Sequence, residues 1–215
     1  MNIKKIIYLL FCFILLGVTL SACNSKKVML DYVSFDETSI ITYPDWIIIG
    51  EVVSVQSEKV NVADSDPITK KQIGSDLVTY TVSEIKVLEV VKGDLNVGDI
   101  VKVKQRGDEK HQPDKDVIAG PGYLIKGAQD FLFLKECPNT PNNLINPWQG
   151  VIEIKDAKTK LNPSNNFFQS DISKDEFVKQ LKEKVQYLKD NPPTEQPYIP
   201  STINPDLPYS TSSKK

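Results

Sequence analysis

Hydrophobic and polar positions divide the chain into three regimes. Residues 6–20 are apolar and uncharged, residues 43–155 alternate short strand-like runs with polar loops, and residues 174–190 repeat at helical spacing. In the middle regime, Trp46-Ile47-Ile48-Ile49-Gly50-Glu51-Val52-Val53-Ser54-Val55 is rich in β-branched and aromatic side chains and reads as a strand. Gly50 within it predicts a bulge or sharp bend that lets one strand serve two faces. Leu77 to Lys92 predicts a second long strand whose apolar phase changes: Val78, Tyr80 and Val82 share one face, Ile85 and Val87 the other. A bulge near Ser83-Glu84 would turn both groups inward. Ile100 to Gln105 alternates, with Val101 and Val103 in and Lys102 and Lys104 out. After Tyr123-Leu124-Ile125 comes Phe131-Leu132-Phe133-Leu134, apolar on both faces and therefore expected to be central. Pro147-Trp148-Gln149-Gly150 leads into a last short strand, Val151-Ile152-Glu153-Ile154. Residues 59–76 and 106–122 are polar and read as two long loops.

Ser173 and Glu176 form a capping box ahead of Phe177, Leu181, Val185 and Leu188. The spacing predicts one amphipathic helix over Lys174 to Asp190, ending before Asn191-Pro192-Pro193, with its stripe packed on the strands or paired with a partner helix. Pro192, Pro193, Pro197, Pro200, Pro205 and Pro208 then punctuate a polar tail expected to be extended and disordered. Its two PxxP matches, Pro197-Tyr198-Ile199-Pro200 and Pro205-Asp206-Leu207-Pro208, read as spacer. The fold class expected is mainly β: a small five-stranded antiparallel barrel with one C-terminal helix and a proline-rich tail.

Two stretches resemble known families. Lys4 and Lys5, the uncharged run from Ile6, and Leu20-Ser21-Ala22-Cys23 match a bacterial lipoprotein signal with its lipobox. That resemblance implies a diacylglyceryl group on the Cys23 thiol, cleavage before it, and anchoring at the outer face of the cell membrane. The small residues Ser21 and Ala22 suit a cleavage site, which a spanning helix would not need. Two acyl chains would suffice as an anchor without a basic patch, although Lys26 and Lys27 would lie near anionic headgroups. Second, Gly50-Glu51-Val52-Val53, the segment from Tyr80 to Gly93, Val97-Gly98-Asp99 and Gly127 to Leu134 resemble uncharacterised secreted or lipid-anchored bacterial proteins, Gram-positive in character. Those carry an oligonucleotide/oligosaccharide-binding (OB-like) barrel, distantly similar to tissue inhibitors of metalloproteinases. The resemblance covers residues 43 to 155 and implies a fold more than an activity. The organisation expected is thus a signal peptide over 1–22, a tether over 23–42, the barrel over 43–155, a linker and helix over 156–190, and the tail over 191–215.

Charge and inventory narrow the function. Residues 1–22 hold two lysines and no acids, which leaves 24 basic against 28 acidic residues beyond them. That balance argues against nucleic acid as a partner. With Cys12 in the signal and Cys23 acylated, Cys137 is left as a lone thiol, and the core must hold the domain without a disulfide. His111 is the one histidine, so HExxH and His-rich zinc sites are excluded, and neither GxSxG nor a Walker loop occurs. Cys137 with His111 lacks a nucleophile signature and reads as a half-buried thiol at a strand end. Ser83-Glu84-Ile85-Lys86 has SxxK spacing but lies in a strand, where an odd separation sends the two side chains to opposite faces. Asp64, Asp66 and Asp76 lack an EF-hand pattern and read as solvated loop acids. No cofactor, metal or catalytic set is expected. The chain reads as a non-catalytic extracytoplasmic binding or interaction module, with a glycan or an envelope protein engaged by loops 59–76 and 106–122. The alternative is a protease inhibitor of the cell envelope; acylation of Cys23 would deny it the free N-terminal cysteine that metalloproteinase inhibitors use on zinc.

Overall fold

In the computed structural model, residues 34–194 are described apart from positions 67, 70, 115, 116 and 119. Cys23, the signal and tether residues before 34, and the tail beyond 194 lie outside them. Over the described residues the chain is mainly β, with a sheet of seven strands: β1 (Trp46–Asn61), β2 (Leu77–Lys92), β3 (Ile100–Arg106), β4 (Gln129–Lys135), β5 (Asn142–Leu144), β6 (Val151–Lys155) and β7 (Lys158–Lys160). A short helix, Ser39–Thr42, precedes β1, and the helix Lys174–Asp190 follows the sheet. Among the described residues no helix is long and apolar enough to cross a membrane.

Five of the strands close on one another. β1 pairs with β2, β2 with β3, β3 with β5, β5 with β4, and β4 with β1, all antiparallel except β3 with β5. The member that completes this ring is β5, which sequence reading passes over. The expected fifth strand, Val151–Ile154, instead extends the sheet outside the ring, with β6 bonded to β4 and β7 bonded to β6.

Strand β4 has the predicted central place. Phe131, Leu132, Phe133 and Leu134 are all fully buried, because each pleat face meets a different core. Leu132 and Leu134 point into the ring with Ile48, Val52, Ile85, Val101 and Val103. Phe131 and Phe133 point outward into a second core with Ile47, Ile49, Phe177 and Leu181. The C-terminal helix therefore packs on the sheet, over the predicted residues and with the predicted cap: Ser173 Oγ accepts the Glu176 N–H at 3.2 Å.

The bulges are only partly where the sequence puts them. A register shift falls at Ile49/Gly50, as expected, with the extra residue on β2 at Leu88. No shift occurs between β2 and β3 at Ser83-Glu84. The extra residue there is Val53 of β1, which opposes β2 between Val52↔Ile85 and Ser54↔Glu84. Tyr80 and Val82 consequently stay on the outer face with Val60 and Val62, whereas Ile85 and Val87 line the ring.

Folded structure also starts earlier than the expected tether allows. Phe35, Ile40 and Ile41 are buried in the outer core, and the Lys92 ammonium donates to the carbonyls of Ile41, Thr42 and Pro44. Those carbonyls close the C-terminal end of the short helix, so one lysine fastens the segment to β2. Residues 156–173 likewise do more than link. They include β7, a 3-10 turn at Pro163–Asn165, and Phe167 and Phe168 packed against the outer core.

Candidate functional site

Strand β1 outruns its second neighbour. It pairs with β2 over nearly its whole length, but with β4 only from Trp46 to Glu51. Val52 still exchanges backbone hydrogen bonds with Gly127 and Ala128, at 2.8 and 3.0 Å. Beyond it, among the described residues, no strand pairs with that edge of β1. Val55, Gln56 and Ser57 are exposed there, and an edge left so presents backbone donors and acceptors to the outside.

The segment that would have continued the pairing turns away towards β3. Gln105 fixes it, donating to the Gly122 carbonyl and accepting from the Leu124 N–H, both at 2.8 Å. The Tyr123 hydroxyl adds a second tie, donating to the Arg106 carbonyl at 2.8 Å and accepting the Asp114 N–H at 3.0 Å. Between this segment and β1 opens a cleft of about 700 Å³, with Val55, Ser57 and Thr81 on one side, Leu124 and Ile125 on the other, and Asp108 to His111 at one end. Val55, Ser57 and Thr81 continue the face that lines the ring, since β1 and β2 pair Val55 with Ser83 and Ser57 with Thr81. Ile125 is 72 % exposed, so the cleft offers an apolar wall beside a hydrogen-bonding edge.

The end of the cleft is built around Asp108. Its carboxylate accepts from the Ser57 hydroxyl and from the backbone N–H groups of Lys110 and His111, and these bonds, Ser57 first, hold its pKa well below the usual carboxylate range. His111 lies 3.3 Å from the same carboxylate, with its side chain 78 % exposed at the rim. Loop 106–122 is thus only partly solvated: Asp108 and Val117 are buried.

A smaller cleft of about 240 Å³ lies on the other side of the 121–126 segment, where Asp130 and Glu153 face each other across β4 and β6. Burial, then the Glu153 charge, pushes the Asp130 pKa up from 3.8 to about 6. The folded protein therefore binds more protons than the unfolded chain between about pH 4 and pH 6, and stability falls as pH rises through that window. Asp130→Asn keeps an oxygen for the Ile154 N–H and removes the charge. It is expected to flatten the pH dependence there and to raise stability at pH 7 by on the order of 2 kcal/mol; denaturant midpoints measured from pH 3 to pH 8 check this.

The other residues singled out from sequence are dispersed. Ser83 is buried on the ring face and Lys86 is exposed on the opposite one, so the SxxK pair does not meet. Asp66 accepts the N–H groups of Ile68 and Thr69 in its own turn, and loop 59–76 is shortened because β1 runs on to Asn61, whose side chain gathers Ala63, Gly74 and Asp76. Among the described residues no three His, Cys, Asp or Glu side chains are grouped as metal ligands would be. Cys137 is buried, and its sulfur lies beside Lys104 rather than near the His111 rim. Lys104 points outward from the ring as its alternation requires, yet it is 2 % exposed, because residues 137–141 cross over it.

The cleft itself was not legible as one site. Sequence reading names His111, loop 106–122 and Tyr123-Leu124-Ile125 separately, and only the departure of the 121–126 segment from β1 brings them together. Compared with protein-family models, with curated proteins and with solved structures, the chain matches none.

Proposed function

We propose that this protein is a lipid-anchored, extracytoplasmic, non-catalytic binding module that takes an extended segment of an envelope protein along the open edge of β1. The observation that carries this reading is the edge after Val52, unpaired among the described residues and flanked by a cleft with an exposed apolar wall. A bare strand edge is satisfied best by another extended backbone, and side-chain pockets beside it supply selectivity. The ring order, with β3 parallel to β5, supports an OB-like barrel, a five-stranded and partly open form. The likeness of residues 20–23 to a lipobox supports the anchor on Cys23.

Photo-crosslinking from position Gln56 in intact cells tests the edge, and palmitate labelling tests the anchor. One dominant adduct is expected. It should fall about tenfold with Ile125→Glu, the equivalent of about 1.4 kcal/mol, and labelled palmitate fed to the cells should enter the wild-type protein and not Cys23→Ala. Equal adducts from Gln56 and from Lys189 on the C-terminal helix, indifferent to Ile125, would reject the site. Equal palmitate label in the wild type and in Cys23→Ala would reject the anchor.

A further inference from the structure

Where β3 meets β5 the ring is held by two paired positions, Val103 with Asn142 and Lys104 with Asn143. The connection 136–141 from β4 crosses this seam and brings Cys137 onto Lys104. The Lys104 ammonium donates to Cys137 Sγ at 3.4 Å and to the Thr140 hydroxyl and the Pro141 carbonyl. Both partners are buried, at 2 % and 7 % exposure, and the Cys137 N–H is fixed to the Asn142 side chain at 3.1 Å. Buried cysteines are usually inert; this one touches a cation that favours its thiolate, the form that oxidants attack.

We propose that Lys104 and Cys137 are a modification site at which a peroxide drives a reversible covalent link across the seam. In the first step the Cys137 thiolate attacks peroxide, the O–O bond breaks, sulfur is oxidised by two electrons to sulfenic acid, and the peroxide is reduced to water. In the second, the Lys104 nitrogen, giving up its protons, attacks that sulfur. An N–S bond forms, the S–O bond breaks, and the oxygen leaves as a second molecule of water. Held in contact, the amine reaches the sulfenic acid ahead of any molecule from solution. The link ties β3 to the 136–141 connection at one of the two seams that hold β5 in the ring by only two paired positions each, so it acts as an oxidant-dependent lock on the closed sheet.

The test is peptide mapping by mass spectrometry of the full chain before and after hydrogen peroxide. Expected is a joined pair of peptides containing Lys104 and Cys137, lighter by two hydrogens than their sum, released by a thiol reductant and absent from Cys137→Ser. The oxidised wild type should also melt at a higher temperature than the reduced, with no such difference in Cys137→Ser. Cys137 recovered as sulfinic acid or bound to a sulfenic-acid probe while Lys104 is unmodified overturns the proposal, and so does a Cys137 that peroxide leaves unchanged.

Discussion

Phe177→Ala is expected to lower the unfolding free energy by about 3–5 kcal/mol, the largest loss of any single truncation on the C-terminal helix. Phe177 is 1 % exposed, and its ring stands edge-on to two others, Phe131 at 4.9 Å and Phe168 at 5.3 Å between centroids. Removing it takes away the transfer energy of an aromatic side chain, two favourable ring contacts, and the filler of a space between helix and sheet that neither can collapse to close. Tyr187 on the same helix is 60 % exposed, so Tyr187→Ala should stay within about 0.5 kcal/mol of wild type. Urea unfolding of the two variants checks the contrast. Equal losses would mean that the helix is held by something other than its aromatic face.

Gly50→Ala should cost about 3 kcal/mol although it adds a single methyl group. A Cβ built at Gly50 overlaps Ile85 Cγ2 and lies 3.3 Å from Leu132 Cδ1, with both neighbours fully buried in the ring. Strands β1, β2 and β4 converge at this point because Gly50 pairs with Val87 on one side and Asp130 on the other. The methyl can enter only by pushing β2 or β4 outward. Ile85→Ala removes the clashing carbon, so the double variant should be less destabilised than the two single losses added together. A coupling energy near zero from chemical denaturation of all four proteins would show that the close approach is relieved elsewhere.

Local signals and long-range contacts explain what was legible in the sequence. The C-terminal helix is written in a cap and a repeat that lie within 18 residues of chain, Ser173 to Asp190, and both ends are recovered. Strands β1 to β4 carry long β-branched or aromatic runs and are recovered too, and Gly50 marks its bulge. Strand β5 has no such run: Asn142-Asn143-Leu144 offers one apolar side chain, and it is a strand because the edge of β3 lies beside it. The phase change in β2 is real, but a phase change does not say which of two paired strands holds the extra residue, and Val53 of β1 holds it. Phe35, Ile40 and Ile41 lack any period because they sit on a short segment fastened by Lys92. For the candidate cleft, the sequence names its parts but not the turn of residues 121–126 away from β1 that brings them together; likewise alternation gives the direction of Lys104 and says nothing of the 137–141 crossing, which decides its environment.

The ring has a consequence for the order in which the chain can fold. β1, β2 and β3 follow one another and can pair as soon as they are made, whereas Trp46 must find Leu134 and Val103 must find Asn142 before closure. Such distant pairings carry their loop-closure cost before any contact repays it, which slows the final step. Until residues up to 135 are available, β1 therefore has one open edge along its first six residues instead of none, and the time spent in that state sets how long Ile47, Ile48 and Ile49 are exposed to other chains.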